Sequence, residues 1–162
     1  MFEPKVLLNE FPWVPPERRL GRFGPMPPRK PELRTPALWL TRNQGGELFL
    51  VNTSGERLEE VHASPVGFIT CDEEVSTVQG GEITYRDVPD GAAVKVDEYD
   101  DYLDLDYVLG MQVRIRSPQH THLKLQYLGG KGGIKEVVLL WANGDVGKDV
   151  QIFSPADDQG QA

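Results

Sequence analysis

The clearest pattern of hydrophobic and polar residues in this chain is a strict alternation between residues 103 and 115. Its seven apolar members occupy consecutive odd positions, namely Leu103, Leu105, Tyr107, Leu109, Met111, Val113 and Ile115. Successive side chains of a β-strand point to opposite faces, so this alternation predicts a long strand with one buried face. The even positions of the other face are Tyr102, Asp104, Asp106, Val108, Gly110, Gln112, Arg114 and Arg116. That face therefore changes from acidic to basic along the strand, and its glycine indicates a bulge or bend.

Short apolar runs separated by turn residues continue this β-like pattern from residue 37 to residue 153. The runs cover residues 38–40, 48–51, 66–69, 82–88, 92–96, 123–128, 137–141 and 150–153. Pro89-Asp90-Gly91 and Asn143-Gly144 are typical turn sequences between strands. Only the stretch from Glu56 to Val61 is compatible with a short helical turn. We therefore predict an all-β fold, an antiparallel two-sheet sandwich of immunoglobulin-like type with eight to ten strands, and keep a closed barrel as the alternative.

Residues 1–36 differ from the rest of the chain, because they contain nine of its thirteen prolines. Proline removes backbone donors and favours extended conformations, so we predict an extended proline-rich N-terminal arm. Phe11 and Trp13 are the candidate contact residues of this arm. They either pack back on the domain or dock on another chain. The predicted organisation is thus an arm at 1–36, a β-sandwich domain at 37–153 and a flexible tail at 154–162.

The net charge of −8 is distributed unevenly along the chain. Residues 1–36 hold seven Lys or Arg and four Asp or Glu, a net charge of +3. Residues 71–106 hold twelve acidic residues against Arg86 and Lys95, a net charge of −10. Binding to nucleic acid requires clustered cations, so this distribution disfavours it. A protein partner with a basic surface would be attracted instead.

The single cysteine, Cys71, excludes a disulfide within the chain and is typical of a reducing compartment. The first residues lack the basic and then apolar pattern of a secretory signal. No stretch approaches the roughly 18 consecutive apolar residues of a membrane-spanning helix. We therefore expect a cytoplasmic protein that does not associate with membranes.

The densest group of candidate functional residues lies between residues 97 and 106. Its members are Asp97, Tyr99, Asp100, Asp101, Tyr102, Asp104 and Asp106. The EF-hand calcium pattern is absent, and neighbouring carboxylates on one strand seldom face each other across a catalytic cleft. A solvated acidic face and a protein-binding patch are the main alternatives, with a metal site as a third. Tyrosine is enriched at the centre of protein interfaces, which favours a partner-binding patch.

Other residues give weaker indications of chemistry. His120 and His122 fall short of the three or four ligands of a zinc site. The glycines around Lys131 lack phosphate-loop spacing, and acidic neighbours of Cys71 disfavour an activated thiol. We therefore expect no cofactor, no metal and no enzymatic activity.

These patterns favour a non-enzymatic protein-binding module whose acidic segment occludes a basic site. An acidic antagonist or immunity protein directed against a bacterial toxin or enzyme would have this character. The alternative is a structural or assembly subunit that uses its proline-rich arm to bind a neighbouring chain. The oligomeric state is left open.

Overall fold

The computed structural model describes residues 3–13, 20–21, 24–25, 33–71, 74–79, 82–99, 107–121, 123–131 and 133–153. Strands and turns, without any helix, make up these ranges. The strands are β1 (Val6–Leu8), β2 (Leu20–Gly21), β3 (Gly24–Pro25), β4 (Pro36–Arg42), β5 (Glu47–Asn52), β6 (Leu58–Cys71), β7 (Glu74–Gln79), β8 (Ile83–Val88), β9 (Ala92–Glu98), β10 (Tyr107–Arg116), β11 (Leu123–Lys131), β12 (Glu136–Trp141) and β13 (Val150–Phe153). The all-β prediction is confirmed.

The first sheet has the order β1-β9-β5-β4-β12, with every pair antiparallel. Its central strands are buried on both faces, as the unbroken burial of Leu38, Trp39 and Leu40 in β4 illustrates. Strands buried on both sides have continuous apolar runs rather than alternation. The sequence of β4 and β5 has this property.

The second sheet has the order β13-β11-β10-β6-β7, and β8 also pairs with β6. β6 is long because its first half pairs with β8, up to Ala63, and its second half pairs with β7, from Val66. Pro65 lies between the part of β6 that pairs with β8 and the part that pairs with β7. The N–H that proline lacks is therefore not needed for a hydrogen bond to either of these two strands. Residues 58–61 and 66–69 thus belong to one strand, and no helical turn forms at 56–61. β7 was not predicted.

β10 confirms the predicted alternation wherever its side chains are described. Met111, Val113 and Ile115 are buried, whereas Arg114 and Arg116 are exposed. The register between β10 and β11 shifts between Val108 and Gly110, which confirms the predicted bulge. A Cβ at Gly110 would lie 2.5 Å from the Tyr127 carbonyl oxygen, so this close approach of two strands requires glycine. Residues 103–106 lie outside the described part of the chain.

The two sheets enclose one apolar core, as in a β-sandwich. Leu40, Leu50 and Val94 enter this core from the first sheet, and Met111 and Leu125 enter it from the second. The predicted turn at Pro89-Asp90-Gly91 connects β8 to β9. Asn143-Gly144 also forms a turn, but only the isolated bridge between Leu140 and Val146 follows it. β13, which comes after this turn, pairs with β11 and so belongs to the second sheet.

Residues 3–13 of the N-terminal region run along the first sheet. β1 is the edge strand of the first sheet, while β2 and β3 form a separate two-stranded ribbon with two residues in each strand. Within the described ranges, no helix has the length and apolar character needed to cross a membrane. The tail at 154–162 lies outside the described residues.

Candidate functional site

The candidate site at residues 97–106 begins at the end of β9. Asp97 is partly buried, and its Oδ1 accepts a 2.8 Å hydrogen bond from the Glu98 backbone N–H. Glu98 is exposed, and its Oε2 lies 3.4 Å from the Lys95 Nζ. The remaining predicted members, Asp100, Asp101, Tyr102, Asp104 and Asp106, lie outside the described residues. Their participation in a site stays a prediction.

Tyr99 lies inside the domain rather than on the surface where sequence reasoning had located it. Its side chain is 6% exposed, and its backbone N–H donates a 2.7 Å bond to the Gly46 carbonyl oxygen. The Arg42 guanidinium lies 4.5 Å from the ring centroid. Gly133 packs against the Tyr99 ring, and a Cβ at this position would lie only 2.8 Å from a ring carbon. The φ of Gly133 is +96°, which also favours glycine. Tyr99 thus anchors the start of the acidic segment.

Burial raises the pKa of Tyr99, and the neighbouring charge of Asp97 raises it further. The hydroxyl is buried, and none of the described residues forms a hydrogen bond of good geometry with it. The Tyr99 hydroxyl therefore stays protonated, and the side chain contributes to the structure through the packing of its ring. β9 belongs to the first sheet and β10 to the second, so the acidic segment joins strands of different sheets.

The outer face of the first sheet forms a second apolar cluster. Trp39, Phe49, Val51 and Ala93 are its buried members. Residues 3–13, here called the N-terminal strap, cover this face. The Phe11 ring lies 5.2 Å from that of Phe49, and the Trp13 ring packs edge-on against Trp39 at 5.4 Å. Phe11 and Trp13 therefore contact their own domain. A contact with another chain stays a prediction.

A partly buried ion cluster, in which Lys95 is buried and Lys5 is exposed, holds the strap beside this apolar face. Glu47 Oε2 lies 2.8 Å from both the Lys5 Nζ and the Lys95 Nζ, and Asn43 donates a 3.0 Å bond to Oε1. The hydrogen bonds from Lys5 and Lys95 lower the pKa of Glu47 to about 2. Burial of Lys95 disfavours its charged form and lowers its pKa. The hydrogen bonds and charges of Glu47 and Glu98 favour the charged form more strongly, so the pKa of Lys95 is raised overall.

Backbone bonds attach the strap to β9 and to the turn before it. The Lys95 N–H donates to the Lys5 carbonyl oxygen at 2.9 Å, and the Asn9 N–H donates to that of Gly91 at 2.9 Å. The Tyr85 hydroxyl accepts from the Lys5 N–H at 3.2 Å and donates to the Lys95 carbonyl oxygen at 2.6 Å. One strap therefore contacts both sheets.

Most of the described side chains on the outer face of the second sheet around β10 are polar. Arg114 of β10 stands opposite Lys124 of β11 on one side and His62 of β6 on the other. A groove of about 220 Å³ lies here, and we call it the basic groove. The residues that line it include Glu60, Arg114, Arg116, Thr121, Leu123 and Lys124. Arg116 is balanced by Glu59 at 3.4 Å and by Glu60 at 3.6 Å.

Other candidates from the sequence are less informative. His120 is partly buried in the turn after β10, where its N–H bonds to Ser117. His122 lies outside the described residues, and the side chains of Cys71 and Lys131 do too. Among the described side chains, no three His, Cys, Asp or Glu are placed to hold a metal ion.

Sequence reasoning missed the ion cluster of the strap and the basic groove. Lys95 interrupts an apolar run, which was a usable signal for a buried, paired charge. The groove unites residues of separate strands, and only their register brings them together. Comparisons with models of protein families, with curated proteins and with solved structures found no match.

Proposed function

We propose that this chain is a non-enzymatic protein-binding module whose acidic segment, residues 97–106, occludes a basic surface on a partner. An acidic antagonist or immunity protein directed against a bacterial toxin or enzyme is the biological role that we infer from it. The single observation that carries this proposal is the concentration of charge. The segment has six Asp or Glu and no Lys or Arg.

The anchoring of the segment supports the proposal. Tyr99 is held in the core at one end, and β10 begins at Tyr107, which pairs with Ile69, at the other. Fixed ends reduce the conformational entropy that a binding segment loses when it docks. The carboxylates would steer a basic partner and raise the association rate, an effect that salt weakens.

The test is the triple variant Asp101→Asn, Asp104→Asn and Asp106→Asn. Wild-type protein is used to capture its partner from native lysate, and the association rate of that partner is then measured against salt concentration. We expect the variant to associate at least about tenfold more slowly at low salt, with a reduced salt dependence.

A matched control removes the same charge elsewhere, through Glu3→Gln, Glu10→Gln and Asp149→Asn, which are exposed in the structure. The control should retain most of the wild-type rate. An unchanged rate and an unchanged salt slope in the acidic-segment variant would reject the proposal.

The second candidate is an assembly subunit that uses its N-terminal region to reach a neighbouring chain. The apolar outer face of the first sheet favours it, because that face already binds Phe11 and Trp13 of the same chain. Twenty-two residues separate Trp13 from β4, which begins at Pro36. Such a connection is long enough for the strap to exchange between two copies.

Light scattering of the intact protein over a range of concentrations tests this exchange. A dimer that dissociates in Trp13→Ala would support assembly through the strap. A monomer at every concentration, or a dimer that persists in Trp13→Ala and after deletion of residues 1–36, would reject it.

We further propose that the sandwich is immunoglobulin-like in its connectivity. The neighbouring order β4-β5-β9 in one sheet and β6-β10-β11 in the other supports this interpretation. Strands A, B and E of an immunoglobulin domain share one sheet in this way, and strands C, F and G share the other.

A further inference from the structure

One edge of the first sheet lies along β1, because no strand in the described part of the chain pairs with its outer side. β1 is antiparallel to β9. The Lys5 carbonyl oxygen and the Asn9 N–H both form hydrogen bonds with β9. Hydrogen-bonded and non-hydrogen-bonded positions alternate along an antiparallel pair of strands. The backbone N–H and C=O groups of Val6 and Leu8 therefore point away from β9, toward the edge of the sheet.

The side chains of the same two residues are exposed. Val6 is 51% exposed and Leu8 is 61% exposed, although both are apolar. Leu7 points to the opposite face of the strand and packs against the apolar cluster of the first sheet. β1 is thus attached to its own domain through Leu7 and through its bonds to β9. Both the side chains and the backbone groups of Val6 and Leu8 face outward.

The opposite edge of the same sheet, along β12, is protected. Its register against β4 shifts on both sides of Leu140. The chain that follows β12 folds back along it, since Val146 forms a bridge with Leu140 and the Gly147 N–H donates to the Leu139 carbonyl oxygen. Sheets are commonly protected at their edges by bulges, covering loops, proline or charged side chains. The three residues of β1 include no charge, proline or bulge.

We propose that β1 pairs with β1 of a second copy of this chain, antiparallel and about a two-fold axis at Leu7. In this register Val6 lies opposite Leu8 of the second copy, and Leu8 lies opposite Val6 of the second copy. Because these residues direct their backbone groups outward, each Val6–Leu8 pair forms both of its N–H···O=C bonds. The exposed apolar side chains of both copies also meet on one face. The edge is complementary to itself, as a two-fold contact requires.

The pairing is short, and the association is therefore weak. Pro4 has no N–H, and Asn9 has a left-handed φ of 55°, so the ladder ends on either side of β1. A contact of this length buries far less than the roughly 1,200 Å² of a stable interface. The net charge of −8 on each copy adds repulsion. Dimers accordingly form at high protein concentration.

This inference goes beyond the proposed function, because the acidic segment takes no part in it. It also differs from exchange of the N-terminal strap, in which β1 of one copy would pair with β9 of the other. Exchange leaves the outward N–H groups of Val6 and Leu8 unbonded, whereas pairing of two β1 strands bonds them both. Amide hydrogen exchange at these residues therefore distinguishes the two modes of association.

The test combines sedimentation of the intact protein with amide hydrogen exchange over a range of protein concentrations. We expect the average mass to rise reversibly with concentration. The Val6 and Leu8 amides should exchange about two- to fivefold more slowly in concentrated protein than in dilute protein. The Lys95 amide, which bonds to Lys5 within one copy, should keep the same protection at every concentration.

Leu8→Lys tests the contact itself, because a charged side chain on an edge strand opposes pairing. The matched control is Ile152→Lys, which makes the same change of charge at a residue that is 51% exposed on β13, an edge strand of the second sheet. We expect Leu8→Lys to weaken association at least about fivefold and the control to stay within about twofold of wild type.

Three results would overturn the inference. They are a protein that stays monomeric at about 1 mM, equal weakening by the two variants, and exchange at Val6 and Leu8 that does not depend on concentration. Protection of the Lys95 amide in Leu8→Lys shows that the strap is still in place. The wild-type exchange rates decide the question even where this variant loosens the strap.

Discussion

The outer faces of the two sheets differ in character although they belong to one small domain. The first sheet presents Trp39 and Phe49, and the N-terminal strap buries both. The second sheet presents Arg114, which is exposed, and Gln112, which is partly buried. Both sheets share the same core on their inner faces.

This difference separates residues that stabilise the domain from residues that are available to partners. Apolar rings on the covered face gain stability from leaving water. Charged residues on the open face gain little, since exposed ion pairs contribute about 0–1 kcal/mol. Substitutions on the covered face should therefore change unfolding, and those on the open face should change binding.

The largest effect is expected on the covered face. Phe49→Ala should destabilise the protein by about 3–5 kcal/mol, because the side chain is 0% exposed and its removal leaves a cavity below Phe11. Urea unfolding measures this change. Gln126→Ala on the open face is the matched control and should change stability by less than about 1 kcal/mol. Equal losses would remove the distinction between the faces.

Glu47→Gln tests how the strap is attached. Its carboxylate accepts bonds from Lys5 and Lys95, and the contact of Lys95 with Glu98 is longer, at 3.4 Å. We expect a loss of about 1–3 kcal/mol at neutral pH, measured by thermal or urea unfolding.

The pH dependence of this pair has a defined sign. The folded pKa of Glu47 is lowered from 4.5 to about 2, so its stabilisation is complete above about pH 4.5 and is lost as the pH falls toward 2. The Gln variant should lose stability less steeply in this window. Identical slopes for the two proteins would contradict the ion cluster.

Tyr99→Phe examines a position that belongs to neither outer face. The hydroxyl is buried and forms no hydrogen bond of good geometry with the described residues, so its removal should leave stability unchanged or raise it by up to about 1 kcal/mol. Thermal unfolding of the variant measures this. Tyr99→Ala is the contrasting variant and should be strongly destabilising. A marked loss in Tyr99→Phe would show that the hydroxyl has a structural role.

The smallest effect is expected on the open face. Arg114→Gln removes one of two opposed cations and should raise stability by about 0.2–0.5 kcal/mol at low salt. Added salt should reduce the gain, because it screens exposed charges. Unfolding at two salt concentrations checks both statements. A loss of stability would mean that Arg114 has a structural partner.

The fold was predictable where the residue pattern is strong and local. The alternation at Met111, Val113 and Ile115 predicted β10 and its buried face. β7 was missed because Ser76, Thr77 and Gln79 interrupt any apolar run. The long β6 was read as two strands, since the sequence does not reveal that Pro65 lies at a change of partner.

The candidate site was predictable only in part. A charge count identified the acidic segment, but Tyr99 was expected at its surface and is buried instead. Tyrosine suits both an interface and a core, so composition cannot distinguish them. The pairing of Arg114 with Lys124 depends on register across a turn, which no local pattern encodes.

The central claim is that the N-terminal strap closes the outer face of the first sheet. Amide hydrogen exchange of Lys95 in the intact protein tests it most directly, because that N–H donates to the Lys5 carbonyl oxygen of the strap. The account predicts protection close to that of the core amides of β9. The contrary result is fast exchange of the Lys95 amide while the Val94 amide, in the part of β9 that pairs with β5, stays protected. It would show that the strap does not occupy this face.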